Sequence, residues 1–260
     1  MKRLLLVCAL VLLPSSMAGA AENPWAGTWK LDLARSHVVG DTMTYTQRPD
    51  GLIHFSDGSA YEFDFRVDGK DYKTYPNRTV AWTADGDRAW KIVTKQDGVA
   101  IFDGRREISA DGKTMAITLS GKAPDGSPIK NDFTYARVGG GKGLIGKWRS
   151  TKANFSAPDL VVISFPTPGT MRLEAPIFKY VAEGKTDGTP ITPAGPMTPG
   201  GFTIGIKVVS PTKLSYAYKM NGKPDSYSAV TLSADGKTMT EVSWPAGAPA
   251  EKTTWVYAKQ

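Results

Sequence analysis

The chain has 260 residues, with 32 lysines and arginines against 25 acids and a single cysteine, Cys8. This length allows one or two domains with cores of their own, and a lone cysteine excludes a disulfide framework. The net charge of +7 is spread without a basic run, so we expect no nucleic-acid partner.

Residues 1–20 have the layout of a secretory signal peptide. Lys2 and Arg3 precede an apolar run, and small residues end at Ala20. The run is about ten residues long, too short to span a bilayer as a helix. We therefore expect cleavage after Ala20, no transmembrane segment, and a periplasmic or secreted protein without cysteine.

The rest of the sequence predicts an all-β fold. Ten Asp-Gly pairs and one Asn-Gly pair punctuate it, and such pairs suit tight hairpins because they tolerate positive φ. Between them, segments such as 61–67 alternate apolar and charged residues, which is typical of strands. No segment shows an apolar period of 3.6 residues.

The heptapeptide SADGKTM occurs at 109–115 and again at 233–239. Asp and Gly favour a turn, so each copy predicts a hairpin between two strands. Further markers keep their order: Gly27-Thr28-Trp29 matches Gly146-Lys147-Trp148, and the segment 133–137 matches 255–259. The sequence thus predicts a tandem duplication.

This register divides the chain into a first β-barrel repeat, 21–138, a glycine-rich linker, 139–143, and a second β-barrel repeat, 144–260. The segment 141–147 also satisfies the patterns GxGxxG and GxxxxGK. A phosphate-binding loop needs a following helix and, in the second pattern, Ser or Thr after the lysine. Trp148 stands there instead, so we interpret 139–143 as a linker.

The segment 187–201 reads DGTPITPAGPMTPGG and has no clear counterpart in the first repeat. Its prolines and glycines exclude a central strand or a helix. We expect an extended surface loop, and a flap over a cavity mouth is the alternative.

Each repeat opens with Gly-x-Trp and closes with an aromatic–small–cation strand, a pattern that resembles the lipocalin and related calycin barrels. The resemblance implies two tandem antiparallel lipocalin-like β-barrels of a bacterial secreted type. It also implies that the early tryptophan packs against a cation of the last strand and closes one barrel end. Trp29 would then meet Arg137, and Trp148 would meet Lys259, as structural contacts.

The residue types offer little for catalysis or metal binding. The mature chain has two histidines, His37 and His54, whose spacing fits no zinc motif, and no GxSxG motif occurs. Asp85 and Asp87 flank a glycine, but a calcium cage of six or more oxygens is not visible. We therefore assign no catalytic residue, no metal site and no cofactor.

Aromatic residues on predicted apolar strand faces are the candidates for ligand contact. In a small barrel the inward face becomes a cavity wall where side chains do not fill the interior. The same residues would pack a filled core, and the sequence leaves both options open. The candidates are Tyr61, Phe63, Phe65, Trp82 and Trp90.

Three functions suit this organisation. The first is an exported protein that binds a small apolar molecule in a barrel cavity. The second is a structural or envelope-interaction module with plugged barrels, for which cavities below roughly 300 Å³ would argue. The third is a lipocalin-scaffold enzyme acting on a lipid-like substrate, which would need a cavity acid or base with a shifted pKa.

Overall fold

The computed structural model describes residues 23–155 and 160–260, and the expected signal peptide, 1–20, lies outside them. Within these residues there are strands and a single 3-10 helix, Pro176–Phe178, so the predicted all-β fold is confirmed. The strands are β1 Gly27–Leu31, β2 Thr42–Gln47, β3 Ile53–Ser56, β4 Glu62–Phe65, β5 Asp71–Tyr75, β6 Arg78–Ala84, β7 Ala89–Gln96, β8 Val99–Ile108, β9 Thr114–Lys122, β10 Pro128–Arg137, β11 Gly146–Phe155, β12 Leu160–Ser164, β13 Thr170–Ala175, β14 Tyr180–Lys185, β15 Asp187–Ile191, β16 Phe202–Ser210, β17 Lys213–Met220, β18 Lys223–Leu232, β19 Thr238–Pro245 and β20 Thr253–Lys259.

The strands form two ten-stranded antiparallel sheets, each nearly closed into a barrel. The first barrel has the order β4-β3-β2-β11-β10-β9-β8-β7-β6-β5. The second barrel has the order β14-β13-β12-β1-β20-β19-β18-β17-β16-β15. The two orders are identical once β11 is equated with β1 and β2 with β12. The repeated barrel architecture that the sequence predicts is therefore present.

Each barrel contains one strand from the opposite sequence repeat. β1 pairs with β12 and β20 in the second barrel, and β11 pairs with β2 and β10 in the first. The barrels are thus offset by one strand from the predicted repeats, 21–138 and 144–260. All strands of the first barrel lie within residues 42–155.

The glycine-rich segment 139–143 is a hairpin loop inside the first barrel and does not link two barrels. The Val138 N–H donates to Lys147 O at 2.8 Å, so the chain turns back at once from β10 into β11. Gly146 has φ +135°, and a Cβ there would collide with the carbonyl oxygen of Gly140. A strand follows this loop instead of a helix N-terminus, which rules out the phosphate-loop alternative.

The tryptophan–cation contacts exist, but the predicted pairs Trp29–Arg137 and Trp148–Lys259 are wrong. The Arg137 guanidinium lies 4.0 Å from the centre of the Trp148 ring, and the Lys259 ammonium lies 5.4 Å from that of Trp29. The strand register explains the exchange, because Arg137 is opposite Trp148 across β10–β11 and Lys259 is opposite Trp29 across β20–β1. Both tryptophans are fully buried.

The two SADGKTM copies form the same turn, as predicted. They connect β8 to β9 and β18 to β19. Asp111 Oδ1 accepts from Lys113 N at 3.0 Å, and Asp235 Oδ1 accepts from Lys237 N at the same distance. The turn therefore has a structural role in both barrels.

The proline-rich segment 187–201 begins as the edge strand β15 and continues as a loop against the first barrel. Arg78 donates to Met197 O, and Gln96 Nε2 donates to Pro196 O at 2.6 Å. Gly200 N donates to Asn77 Oδ1 at 2.8 Å. The edge position tolerates proline, as expected, and the loop is a contact between the barrels.

A second inter-barrel contact involves β2 and the loop before β20. The Thr42 N–H and hydroxyl both donate to the Glu251 carboxylate, at 2.9 and 2.8 Å. Nearby, Gly247 N donates to Gly58 O at 2.9 Å. The barrels are thus joined by hydrogen bonds as well as by the exchanged strands.

Candidate functional site: a cavity in the first barrel

The first barrel contains a cavity of about 380 Å³ that is lined by its own strands and the segments between them. Its wall comes from period-two alternation, which turns every second side chain inward. On β8, for example, Phe102, Gly104 and Arg106 line the cavity, and on β6 Arg78, Val80 and Trp82 do. Gly104 contributes no side chain, which leaves space beside Ile92.

Of the five aromatic candidates, Tyr61, Phe63 and Trp82 line the cavity. Phe65 is fully buried and stacks on Trp82, with ring centres 4.4 Å apart, so it supports the wall from behind. Trp90 is half-buried against the same core and is not part of the lining. The structure brings four of the five together, and their role in ligand contact stays a prediction.

Aromatic residues that the sequence analysis did not select complete the wall. Tyr75 stacks on Tyr61 with ring centres 4.9 Å apart, and Phe55 packs against Phe63 at 5.1 Å. Phe102 and Phe133 also line the cavity. The sequence contained a signal for Phe55. It is opposite Phe63 across β3–β4, and cross-strand partners face the same side of a sheet.

Arg106 is the most unusual group in the cavity. Its guanidinium lies 4.7 Å from the centre of the Trp82 ring. Its Nε is buried without a hydrogen-bond partner, and so is the indole Nε1 of Trp82. Buried charged groups without partners are costly, so this arrangement leaves hydrogen-bonding capacity inside the cavity.

The acids that line the cavity have partners within the protein. Asp41 accepts from the Tyr135 hydroxyl at 3.2 Å and from the Ser150 hydroxyl. Asp57 accepts from the hydroxyl and the N–H of Ser59, at 2.6 and 3.0 Å. Burial raises the pKa of Asp57, and the nearby Asp225 adds to this shift.

The remaining cation of the lining, Arg78, is also held by protein groups. Its Nε donates to Gln96 Oε1 at 3.0 Å, and its Nη2 donates to Met197 O. Burial lowers the pKa of Arg78. Arg78 therefore anchors the second barrel's loop and has fewer free donors than Arg106 has.

Tyrosines in and beside the cavity stay neutral at physiological pH. Burial raises the pKa of Tyr61 to about 12, although Arg106 opposes the shift. Burial also raises the pKa of Tyr45 and Tyr135, again against the effect of Arg106. Neutral phenols are hydrogen-bond donors as well as acceptors. The cavity thus combines an aromatic wall, neutral hydroxyls and one under-used cation.

A smaller pocket of about 290 Å³ lies at the corresponding part of the second barrel. Glu241 lines it and accepts from the hydroxyls of Ser228 at 2.6 Å and Tyr218 at 3.4 Å. Burial raises the pKa of Glu241. Asp57 and Glu241 are therefore cavity acids of the kind that the enzyme hypothesis requires, so that hypothesis stays a prediction.

The two barrels differ at equivalent inward positions. The SADGKTM copies fix an offset of 124, which equates Arg106 with Val230 and Ile117 with Glu241. The pairings agree, because Arg106 is opposite Ile117 and Val230 is opposite Glu241. The first barrel thus has a cation in its interior where the second has an acid on the neighbouring strand.

A third cavity, of about 240 Å³, lies between the barrels. Phe178, Tyr180 and Phe202 of the second barrel line it together with Arg78 and Phe102, which also line the first-barrel cavity. The two spaces therefore adjoin at Arg78 and Phe102. The loop that contains Met197 borders this junction. Its position agrees with the alternative of a flap over a cavity mouth.

The histidines and the Asp85–Asp87 turn lie outside the cavity. His54 Nδ1 is 2.8 Å from Asp64 Oδ1 on the outer face, and Asp85 is paired with Lys91 and Arg105. No group of three or more His, Cys, Asp or Glu residues within 23–155 and 160–260 could hold a metal ion. Nor does that part of the chain contain a helix long and apolar enough to cross a membrane.

Comparisons with known proteins add no family. No protein-family model matches the chain, and no curated protein or solved structure matches it significantly. Inferences about function therefore depend on the geometry of the cavity.

Proposed function

We propose that this chain is an exported protein that binds a small, largely apolar molecule inside the first barrel. The cavity of about 380 Å³ with its aromatic wall carries the proposal. Ligand pockets of proteins are concave, mostly apolar and have a few convergent polar groups. A cavity below roughly 300 Å³ in both barrels would favour the plugged-barrel alternative, and the first barrel exceeds that volume.

The same proposal includes a lipocalin-like identity and a periplasmic or secreted location. The tryptophan–cation contact at the closed end of each barrel supports the resemblance. Each barrel has ten strands, whereas lipocalins have eight, so the resemblance does not extend to the number of strands. The signal-peptide pattern of residues 1–20 supports export.

Native mass spectrometry of the mature protein, purified from its host's envelope, tests the proposal. We expect a reproducible bound mass at about one per chain, which denaturation releases and solvent extraction identifies. A protein without any bound mass, which also takes up no apolar compound in titration, would contradict the proposal.

A cavity-filling variant supplies the matched control. A Cβ at Gly104 would lie at ordinary contact distance, 3.6 Å from Ile92 Cβ, so Gly104→Leu directs its side chain into the cavity. We expect this variant to fold and to lose the bound mass. Gly86→Leu adds the same side chain at an open surface turn, so it should keep the ligand. The positive φ of Gly86 strains this variant, but Gly86 is not part of the cavity lining.

A further inference from the structure

Arg106 has no charged partner in the described part of the chain. No ion pair among residues 23–155 and 160–260 includes it. Its neighbours are the Trp82 ring and Tyr45, where burial raises the pKa of the phenol and Arg106 opposes that shift. Since Asp41, Asp57 and Arg78 have protein partners, Arg106 is the charge of the lining with unused capacity.

The free atom of Arg106 defines the chemistry that it can bind. A guanidinium binds a carboxylate with two parallel N–H···O bonds, and the Nε edge is one of its two-donor edges. Nε is the atom without a partner. A ligand carboxylate at this edge would satisfy Nε and provide the missing counter-charge.

We propose that the ligand of the first barrel carries a carboxylate, which binds Arg106, on an apolar body that lies along Trp82 and Phe63. This inference rests on the proposed function, since it assumes that the cavity is occupied. The neutral hydroxyl of Tyr61, which lines the cavity, adds a donor for the carboxylate oxygens.

The second barrel does not share this chemistry. At the position equivalent to Arg106 it has Val230, and Glu241 lies opposite on the neighbouring strand. An acid in a confined pocket repels a second carboxylate or must hold a proton. Binding of an anionic ligand is therefore restricted to one of the two barrels.

The acids of the first cavity do not cancel the attraction. Asp41 and Asp57 are already solvated by hydroxyl and N–H donors of the protein. Within the lining, the ligand carboxylate thus meets its most favourable partner at Arg106.

The cavity volume limits the size of the ligand. At about 30 Å³ per non-hydrogen atom, the share of one water molecule in the liquid, the cavity holds about a dozen such atoms. Decanoate, with about twelve, is a suitable test compound, and decan-1-ol is its neutral counterpart of similar length.

Isothermal titration calorimetry of the full mature chain with both compounds tests the inference. We expect decanoate to bind more tightly than decan-1-ol by about 10- to 100-fold, as a charge-assisted hydrogen bond predicts. Arg106→Val, which installs the second barrel's residue, should remove this preference and leave the affinity for decan-1-ol unchanged. Arg106→Gln, which keeps polarity without charge, should also lose it.

Arg105→Val is the matched control, because Arg105 is adjacent in sequence but pairs with Asp85 and Glu107 on the outer face. It should keep the wild-type preference for decanoate. Equal binding of both compounds, or a preference that survives in both Arg106 variants, would overturn the carboxylate inference and leave the proposed function standing. Failure of the wild-type protein to bind either compound would instead count against the proposed function itself.

Discussion

Trp29 is a residue of the first repeat that stabilises the second barrel. It is fully buried beside Lys259, and its indole Nε1 donates to Trp25 O at 3.0 Å. We expect Trp29→Ala to lower the free energy of unfolding by about 3–5 kcal/mol, as large core truncations do. Hydrogen exchange should show the loss first in β12 and β20.

Trp244→Ala is the control for that experiment, because Trp244 is only half-buried. The free energy of unfolding should change much less in this variant than in Trp29→Ala. If Trp29→Ala instead removed protection from β10 and left β20 unchanged, the exchange of first strands between the barrels would be contradicted.

Glu241 predicts a pH dependence of stability. Its folded-state pKa is raised above the ordinary value of 4.5, so the folded protein keeps a proton that the unfolded chain loses over that range. Its contribution is therefore fully present at low pH and is lost as pH rises from about 4.5 toward the raised value. In urea unfolding at several pH values, Glu241→Gln should gain stability over wild type as pH rises through this window.

Asp57 also has a raised pKa, so Asp57→Asn serves as the comparison. The double variant should show a weaker pH dependence than either single variant. A Glu241→Gln protein whose stability follows the wild-type curve at every pH would show that the carboxyl titrates normally in the folded state.

At the residue scale, the sequence predicted the closure tryptophans and three cavity aromatics but missed Arg106. Arg105-Arg106-Glu107 is a charged run, which suggests a solvated face. The signal for Arg106 was its even spacing from Phe102 and Ile108, since residues two apart share a face of a strand. Only the barrel's register shows which of the two arginines is inside.

The hairpin β10–β11 depends on glycine at one position. Gly146 has φ +135°, and a Cβ would collide with backbone oxygen of Gly140. We expect Gly146→Ala to cost at least about 2 kcal/mol of unfolding free energy, from strain at positive φ together with the clash.

Gly140→Ala is the matched control in the same loop, because a Cβ there would contact no atom within 4 Å. It should stay within about 0.5 kcal/mol of wild type in thermal or urea unfolding. Similar losses for the two variants would mean that the loop as a whole, and not the Gly146 conformation, sets the stability of the hairpin.

At the element scale, alternation and Asp-Gly turns predicted most strands, and local composition misled at two places. Asp103-Gly104 lies inside β8 instead of at a turn, where Gly104 is opposite Ile92 of β7 and borders the cavity. The glycines of 139–143 suggested a flexible linker, but Gly141 and Gly143 have positive φ values that serve a tight hairpin. In both places the tertiary contact decides what the glycine does.

The offset between repeats and barrels predicts which part of the chain folds alone. Residues 42–155 contain all ten strands of the first barrel, whereas 21–138 contains β1 without its partners and lacks β11. We expect the fragment 42–155 to show dispersed NMR resonances and a cooperative unfolding transition. The fragment 21–138 should be poorly folded, because β2 and β10 lose the strand between them.

The opposite result, a folded 21–138 and an unfolded 42–155, would support barrels made of single repeats. The sequence could not decide between these arrangements. β1 and β11 carry the same Gly-x-Trp pattern, so each fits either barrel, and the short β10–β11 hairpin holds β11 in the first barrel.

In the proposed arrangement, a ligand occupies the first barrel and not the second. A crystal structure of the mature protein grown with decanoate tests this most directly. We predict density for the carboxylate at Arg106 Nε and for the chain along Trp82, with none beside Glu241. Density only at the protein surface, or inside the second barrel, would contradict the claim.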